Sequence, residues 1–251
     1  MNRAELVNYL DSLLAVNTIH DYCPNGLQIE GRDEIHKIVT GVTACQALID
    51  AAIEAEADAI IVHHGFFWKN ENPVLTGMKK KRIGALLTHD INLLAYHLPL
   101  DAHMTLGNNI QLAHRLGWPV EGRLSEQGDA SLIFYGEYAE PQTVHAFSSQ
   151  IEQVLQRKPL HIAGSSAKIS RIAWCTGGAQ SYMTHVIGKN IDAFISGEIS
   201  EYTTHMARET GIHYFAAGHH ATERYGVQAL GAHLAEAFGI KHQFIDIPNP
   251  V

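Results

Sequence analysis

The chain has 251 residues, 46% of them hydrophobic and 18% charged, with a formal net charge of −8 and 17 histidines. That hydrophobic share is enough for one large or two small cores. The acidic balance argues against general binding to nucleic acid or an anionic membrane surface.

Cys23, Cys45 and Cys175 are widely spaced and form no C-x-x-C pair. Such a set fits reduced thiols in a cytoplasmic protein better than a disulfide framework or a thiolate metal site. Glu5 and Asp11 interrupt the first apolar stretch, which therefore lacks the apolar region of a signal peptide. The longest apolar runs fall well short of a membrane span.

In chain order, Leu6, Tyr9, Leu10, Leu13 and Leu14 recur at helical spacing and predict an amphipathic helix over residues 2–16. Pro24-Asn25-Gly26 marks a turn before a short strand over 27–30. A strand is expected over 35–42 and a helix over 44–56, with Thr43 as its cap. Residues 57–62 form an apolar strand that ends at His63-His64-Gly65. A helix over 79–88 opens on Lys79-Lys80-Lys81-Arg82, read as a solvated face, and a buried strand comes next over 91–97.

The middle of the chain reads as strand 132–138, helix 141–156 and strand 160–163, with no motif of its own. The remainder alternates strands (169–176, 192–196, 213–218, 242–247) with helices (182–189, 200–209, 222–238). This alternation indicates an α/β fold with mostly parallel sheets.

The two halves resemble each other. Cys45-Gln46 and Ala179-Gln180 each precede a helix, at the same distance before Asp58-Ala59 and Asp192-Ala193. His97-x-x-x-Asp101 stands where His219-x-x-x-Glu223 stands later. Residues 1–125 and 126–251 are therefore read as two α/β repeats, with the closing strand able to pack on the first.

Three apolar strands run straight into metal-capable side chains: His63-His64; His97 with Asp101 four residues on; and His219-His220 with Glu223 four residues on. Ligands of open α/β sheets bind beyond the carboxyl ends of the strands. One such histidine is ordinarily a packing residue, but three strand endings of this kind point to a shared polar site. Imidazole and carboxylate donors suit zinc, iron, manganese, nickel or cobalt. Adjacent residues of an extended strand point to opposite faces, so His63 and His64 either lie past the strand's end or serve two separate metals.

The strings VHHGFFW, HLPLDAH, WCTGGAQS, SGEISE, GHHATER and DIPNP resemble the NGG-one-interacting-factor-three-like family. Its bacterial members are known as GTP cyclohydrolase I type II homologues. The resemblance implies two intertwined α/β repeats, a dinuclear metal site in the cleft between them, and a ring-shaped homohexamer. By motif, it places the ligands of two divalent metal ions per subunit on His63, His64, Asp101, His219 and Glu223. His220 stands where many members have an aromatic residue, which sets it apart from the ligands.

His97 is read first as an orienting group, with an acid/base or a structural role as the alternatives, and Glu198 as a support or a surface residue. His103, His205, His213 and His242 are expected to be structural or surface residues, Cys45 and Cys175 to be small buried residues, and Thr176-Gly177-Gly178 to be a tight turn. The leading functional expectation is a metal-dependent hydrolase of a small, nucleotide-like or heterocyclic substrate. The alternatives are a non-catalytic metal-binding regulatory or interaction protein forming a ring, and a ring that encircles nucleic acid, the latter opposed by the net charge.

Overall fold

The computed structural model describes residues 1–125 and 128–251, which divide into two compact units: Met1–Gly107 with Gly226–Pro248, and Asn108–Tyr225 with Asn249–Val251. The elements in chain order are α1 (Arg3–Leu13), β1 (Gly26–Ile29), β2 (Lys37–Thr43), α2 (Gln46–Glu54), β3 (Ala59–His64), α3 (Gly77–Thr88), β4 (Asn92–Ala95) and α4 (Leu98–Ala102). Then come α5 (Asn108–Leu116), β5 (Gly122–Arg123), β6 (Phe134–Thr143), α6 (Val144–Leu155), β7 (Leu160–Ile162) and β8 (Lys168–Trp174). The chain ends with β9 (Ala193–Ser196), α7 (Glu201–Thr210), β10 (His213–Ala216), α8 (His219–Phe238) and β11 (Lys241–Phe244).

The first unit holds a five-stranded sheet in the order β1-β4-β3-β2-β11, counted over the described residues. All neighbours run parallel except β1, which pairs antiparallel with β4. Strands β3 and β4 are buried along almost their whole length, as the uninterrupted apolar runs Ala59–Val62 and Leu93–Ala95 require of a sheet covered on both faces. One face packs Leu48, Ile49, Ala52, Ile83 and Leu86 of α2 and α3 against Val39, Ile60 and Val62. The other packs Leu6 and Leu10 of α1 and Leu230 and Leu234 of α8 against Ile38, Ile61 and Leu94. Helix α1 starts from a reciprocal cap: Asn2 accepts from the Ala4 N–H and Glu5 accepts from the Asn2 N–H.

The second unit holds a six-stranded sheet in the order β5-β6-β8-β9-β10-β7, again over the described residues. Its central strands β8, β9 and β10 are parallel and its margins antiparallel. Phe134, Phe147, Trp118, Trp174 and Phe215 build its aromatic core.

The parallel triplets β2-β3-β4 and β8-β9-β10 begin in the same way. Asp58, just before β3, accepts from the N–H groups of His36 and Lys37 (2.8 and 2.9 Å). Asp192, just before β9, accepts from those of Ser170 and Arg171 (2.8 and 2.9 Å). The paired Asp-Ala dipeptides thus mark one structural device used twice.

Several expected elements shift. Thr43 does not cap α2: it remains in β2, opposite His64, because the parallel ladder continues to Thr43 and the Ala44 N–H then donates to the His64 carbonyl. Cys45, half-buried, takes the cap position without a side-chain hydrogen bond. The helix expected over 182–189 is a short 3-10 segment, Gln180–His185. Val186 caps it, with its N–H donating to the Met183 carbonyl, and the Thr184 hydroxyl competes for the Ser181 carbonyl. Among the described residues, no helix is long and apolar enough to cross a membrane.

Candidate metal centre

In the first unit, β3 delivers His63 and His64, while the end of β4 leads through Tyr96 to His97 and into α4, which carries Asp101. His63 is fully buried and His97 and Asp101 nearly so. The His63 Nδ1–H donates to the Tyr96 carbonyl at 2.9 Å. A carbonyl only accepts, so the proton sits on Nδ1, and Nε2 faces Asp101 Oδ2 at 3.5 Å. His64 Nδ1 lies 3.1 Å from the Thr43 hydroxyl.

His63, His64 and His97 each offer a ligand atom, all within 4.8 Å of one another, a spacing that can hold one ion. The ring centroids are 4.6 Å (His63–His64), 5.0 Å (His63–His97) and 5.7 Å (His64–His97) apart. The two adjacent histidines converge because β3 ends at His64. Gly65 comes next, where an added methyl would strike the Gln28 amide and the Ala95 side chain.

Asp21 is a residue that sequence reasoning missed. Its carboxylate holds His97 Nδ1 at 3.0 and 3.2 Å and accepts from the Leu98 N–H (3.0 Å), the Tyr22 N–H (2.7 Å) and the Asn25 amide (2.9 Å). Burial opposes its charge, yet His97, Asn25 and Leu98 outweigh that and hold it well below the ordinary carboxylate range. Its only prior signal was proximity to the Pro24-Asn25-Gly26 turn. Cys23 lies with Asp21 and His97 in a group that can hold an ion, although burial and Asp21 push its thiol up to about 12. At neutral pH it is protonated, a poor ligand state.

In the second unit, α8 starts at His219, three residues earlier than expected, so His219 and Glu223 share one helical face. His219 Nε2 lies 3.1 Å from Glu223 Oε2, and His219 Nδ1 lies 2.6 Å from Glu198 Oε1. Burial disfavours the imidazolium, but the carboxylates of Glu223 and Glu198 overcome it and raise His219 to about 9. The loop after β9 that carries Glu198 is pinned at its carbonyl by the Tyr214 hydroxyl (2.6 Å).

The turn at Gly177-Gly178 has a purpose that spacing alone concealed. Gly177 has φ +68, and a Cβ there would lie 1.9 Å from Glu223 Oε1 and 3.2 Å from His219 Nε2. Its N–H donates to the Thr222 hydroxyl at 3.0 Å, locking the turn to the start of α8. Only glycine permits that approach.

Among the described residues, His220 belongs to no group that can hold an ion, and its N–H donates to the Val251 carbonyl. His103 accepts from the N–H groups of Thr105 and Leu106, His242 bonds Thr40, and His213 bonds Ser166 and Gly164. Each of these three is held by hydrogen bonds to backbone or side-chain groups outside the ion-holding groups.

The fold and site define a class: a two-sheet α/β protein with histidine and carboxylate donors at the carboxyl ends of its parallel strands. Residues 1–250 match the DUF34/NIF3 (NGG1p interacting factor 3) family, and the chain belongs to it. It is 55% identical to the GTP cyclohydrolase 1 type 2 homolog of Pseudomonas aeruginosa over 245 residues, 98% of this chain and 97% of that one. The homolog of the same description from Vibrio cholerae is also 55% identical, over 100% of both chains. Among solved structures, protein ybgI, described as of unknown function, matches with a TM-score of 0.96 and 50% identity over the whole of both chains. TTHA1606 from Thermus thermophilus matches with a TM-score of 0.90 and 34% identity, again over 100% of both.

Proposed function

We propose that the protein is a metal-dependent hydrolase of a small nucleotide-like or heterocyclic substrate, with His63, His64, Asp101, His219 and Glu223 as ligands of two divalent metal ions. The observation that carries this reading is the way the imidazoles are held. His63 and His219 have Nδ1 committed to the Tyr96 carbonyl and to Glu198, and each turns Nε2 toward a buried carboxylate. Metal-ligating histidines characteristically donate their other ring N–H to a carbonyl or carboxylate, which sets the tautomer and raises ligand basicity. The donor set of imidazole and carboxylate suits zinc, iron, manganese, nickel or cobalt.

Bound metal would supply Lewis acidity that activates water for attack at neutral pH. The chain's own residues then orient and move protons. His97, aligned by Asp21, serves as the acid/base group, and Glu198 keeps His219 in register. The relatives' shared description as GTP cyclohydrolase 1 type 2 homologs supports a nucleotide-like substrate. We extend the reading to a closed homohexameric ring, closed symmetry being the usual form of soluble homo-oligomers. Light scattering of the metal-loaded protein should give six times the chain mass; a monomer across micromolar concentrations overturns it.

The deciding experiment is turnover by metal-loaded protein across phosphorylated and cyclic-amide heterocycles. Activity lost on chelation and restored by metal is expected. Stoichiometric metal without turnover of any class would instead support a non-catalytic, metal-responsive protein.

A further inference from the structure

Beside the first unit's histidine cluster lies a group of aromatic side chains that the core does not use. Tyr22 is 52% exposed and Phe67 37% exposed, whereas Trp118 and Trp174 are buried in the second unit's core. Tyr22 and Trp68 lie 5.8 Å apart, tilted by 36°. Both stand nearly perpendicular to His97, at 5.1 and 5.2 Å, and Trp68 also reaches His64 at 5.9 Å.

The loop that carries Phe67 and Trp68 is held in place, in part by Tyr22. Gln28 clamps Phe66 through both its N–H (2.6 Å) and its carbonyl (3.1 Å). The Lys69 N–H donates to the Tyr22 carbonyl at 2.9 Å, and the Trp68 N–H to Glu71 at 3.1 Å. Phe67 adopts φ +67, a conformation that a bulky side chain rarely accepts, with Lys79 Nζ 4.9 Å from its ring centroid. Backbone strain of this kind gathers at binding sites, where surrounding contacts enforce it.

We propose that Trp68 and Tyr22 form a stacking wall that holds the flat ring of an aromatic heterocycle beside the His63–His64–His97 cluster. This deepens the functional reading above and rests on it for the chemistry, but not for the binding. Ring stacking tolerates any flat base, since each presents a π-face, whereas a free sugar offers such a wall only weaker C–H contacts. The wall therefore selects ring flatness, and the neighbouring histidine cluster selects what is attached to the ring.

The probes are guanosine and, lacking the flat ring, ribose. Binding to the metal-loaded protein is titrated by saturation-transfer NMR, alongside elemental analysis and light scattering. Guanosine should bind in preference to ribose. Trp68→Leu should weaken guanosine by about 10- to 100-fold, the scale of losing one stacking partner, with metal content and assembly unchanged. Trp68→Phe should recover most of the affinity, because it restores a flat face.

Equal guanosine affinity in Trp68→Leu, equal loss in Trp68→Phe, ribose binding as tightly as guanosine, or no guanosine binding by the wild type each overturns the inference. A changed assembly mass with unchanged guanosine affinity assigns the aromatic pair to a subunit contact and overturns it too. Protein that binds guanosine through Trp68 yet takes up no metal keeps this inference and sinks the hydrolase reading.

Discussion

Glu198 Oε1 lies 2.6 Å from His219 Nδ1, so a carboxylate on the loop after β9 fixes the ring at the start of α8. Glu198→Gln keeps the shape but removes the charge. Loss of such supporting partners typically costs about 10- to 100-fold in metal affinity. Zinc titration calorimetry on the metal-stripped variant should show that drop, and an unchanged affinity would show that Glu198 gives His219 no support.

Gly177→Ala should remove metal from a chain that still folds. The new methyl would overlap Glu223 Oε1, and the residue would keep a left-handed φ at a cost of roughly 1 kcal/mol. Elemental analysis of the variant should find less metal than wild type while circular dichroism stays native. Full metal content would mean that Glu223 moves aside without penalty.

In the metal-free protein, His219 is raised from the ordinary value of 6.5 to about 9. A raised folded-state value contributes stability that is complete below the unfolded value and is lost as pH climbs through the folded one. The Tm of metal-free protein should therefore fall as pH rises from about 6.5 to 9, with the fall absent in His219→Gln. Metal must displace the same proton, so its apparent affinity should rise over that window. A pH-independent affinity would contradict this.

Asp58→Ala and Asp192→Ala should destabilise similarly. Each strips two backbone N–H groups of a charged acceptor at the start of a parallel triplet, a loss of about 2–4 kcal/mol. Urea unfolding measures it. A loss in only one variant would deny the two carboxylates their shared structural role.

His97→Ala should retain metal and, once a substrate is in hand, lose about 100- to 10,000-fold in turnover, the usual contribution of a positioned acid or base. Asp21→Asn should lose less, because it keeps the ring's position and removes only the charge beside it. Metal loss in His97→Ala would make His97 a ligand, a role that its grouping with His63 and His64 allows.

The polar strand endings, the α/β alternation and the paired Asp-Ala dipeptides were all legible in the residue string. Apolar runs long enough for a strand but too short for a helix announce buried parallel strands, and the residues just past them lie at a sheet's carboxyl edge. Such local patterns brought His63, His64, His97, Asp101, His219 and Glu223 into view. They could not reveal which atom of each ring is free. His97 finds Asp21 across 76 residues and His63 finds the Tyr96 carbonyl across 33, separations that no local periodicity records. Likewise nothing about a lone glycine pair says that a carboxylate lies against it. A hydrogen-bond partner or a close approach depends on where distant loops come to rest, and packing decides that only after the strands have assembled.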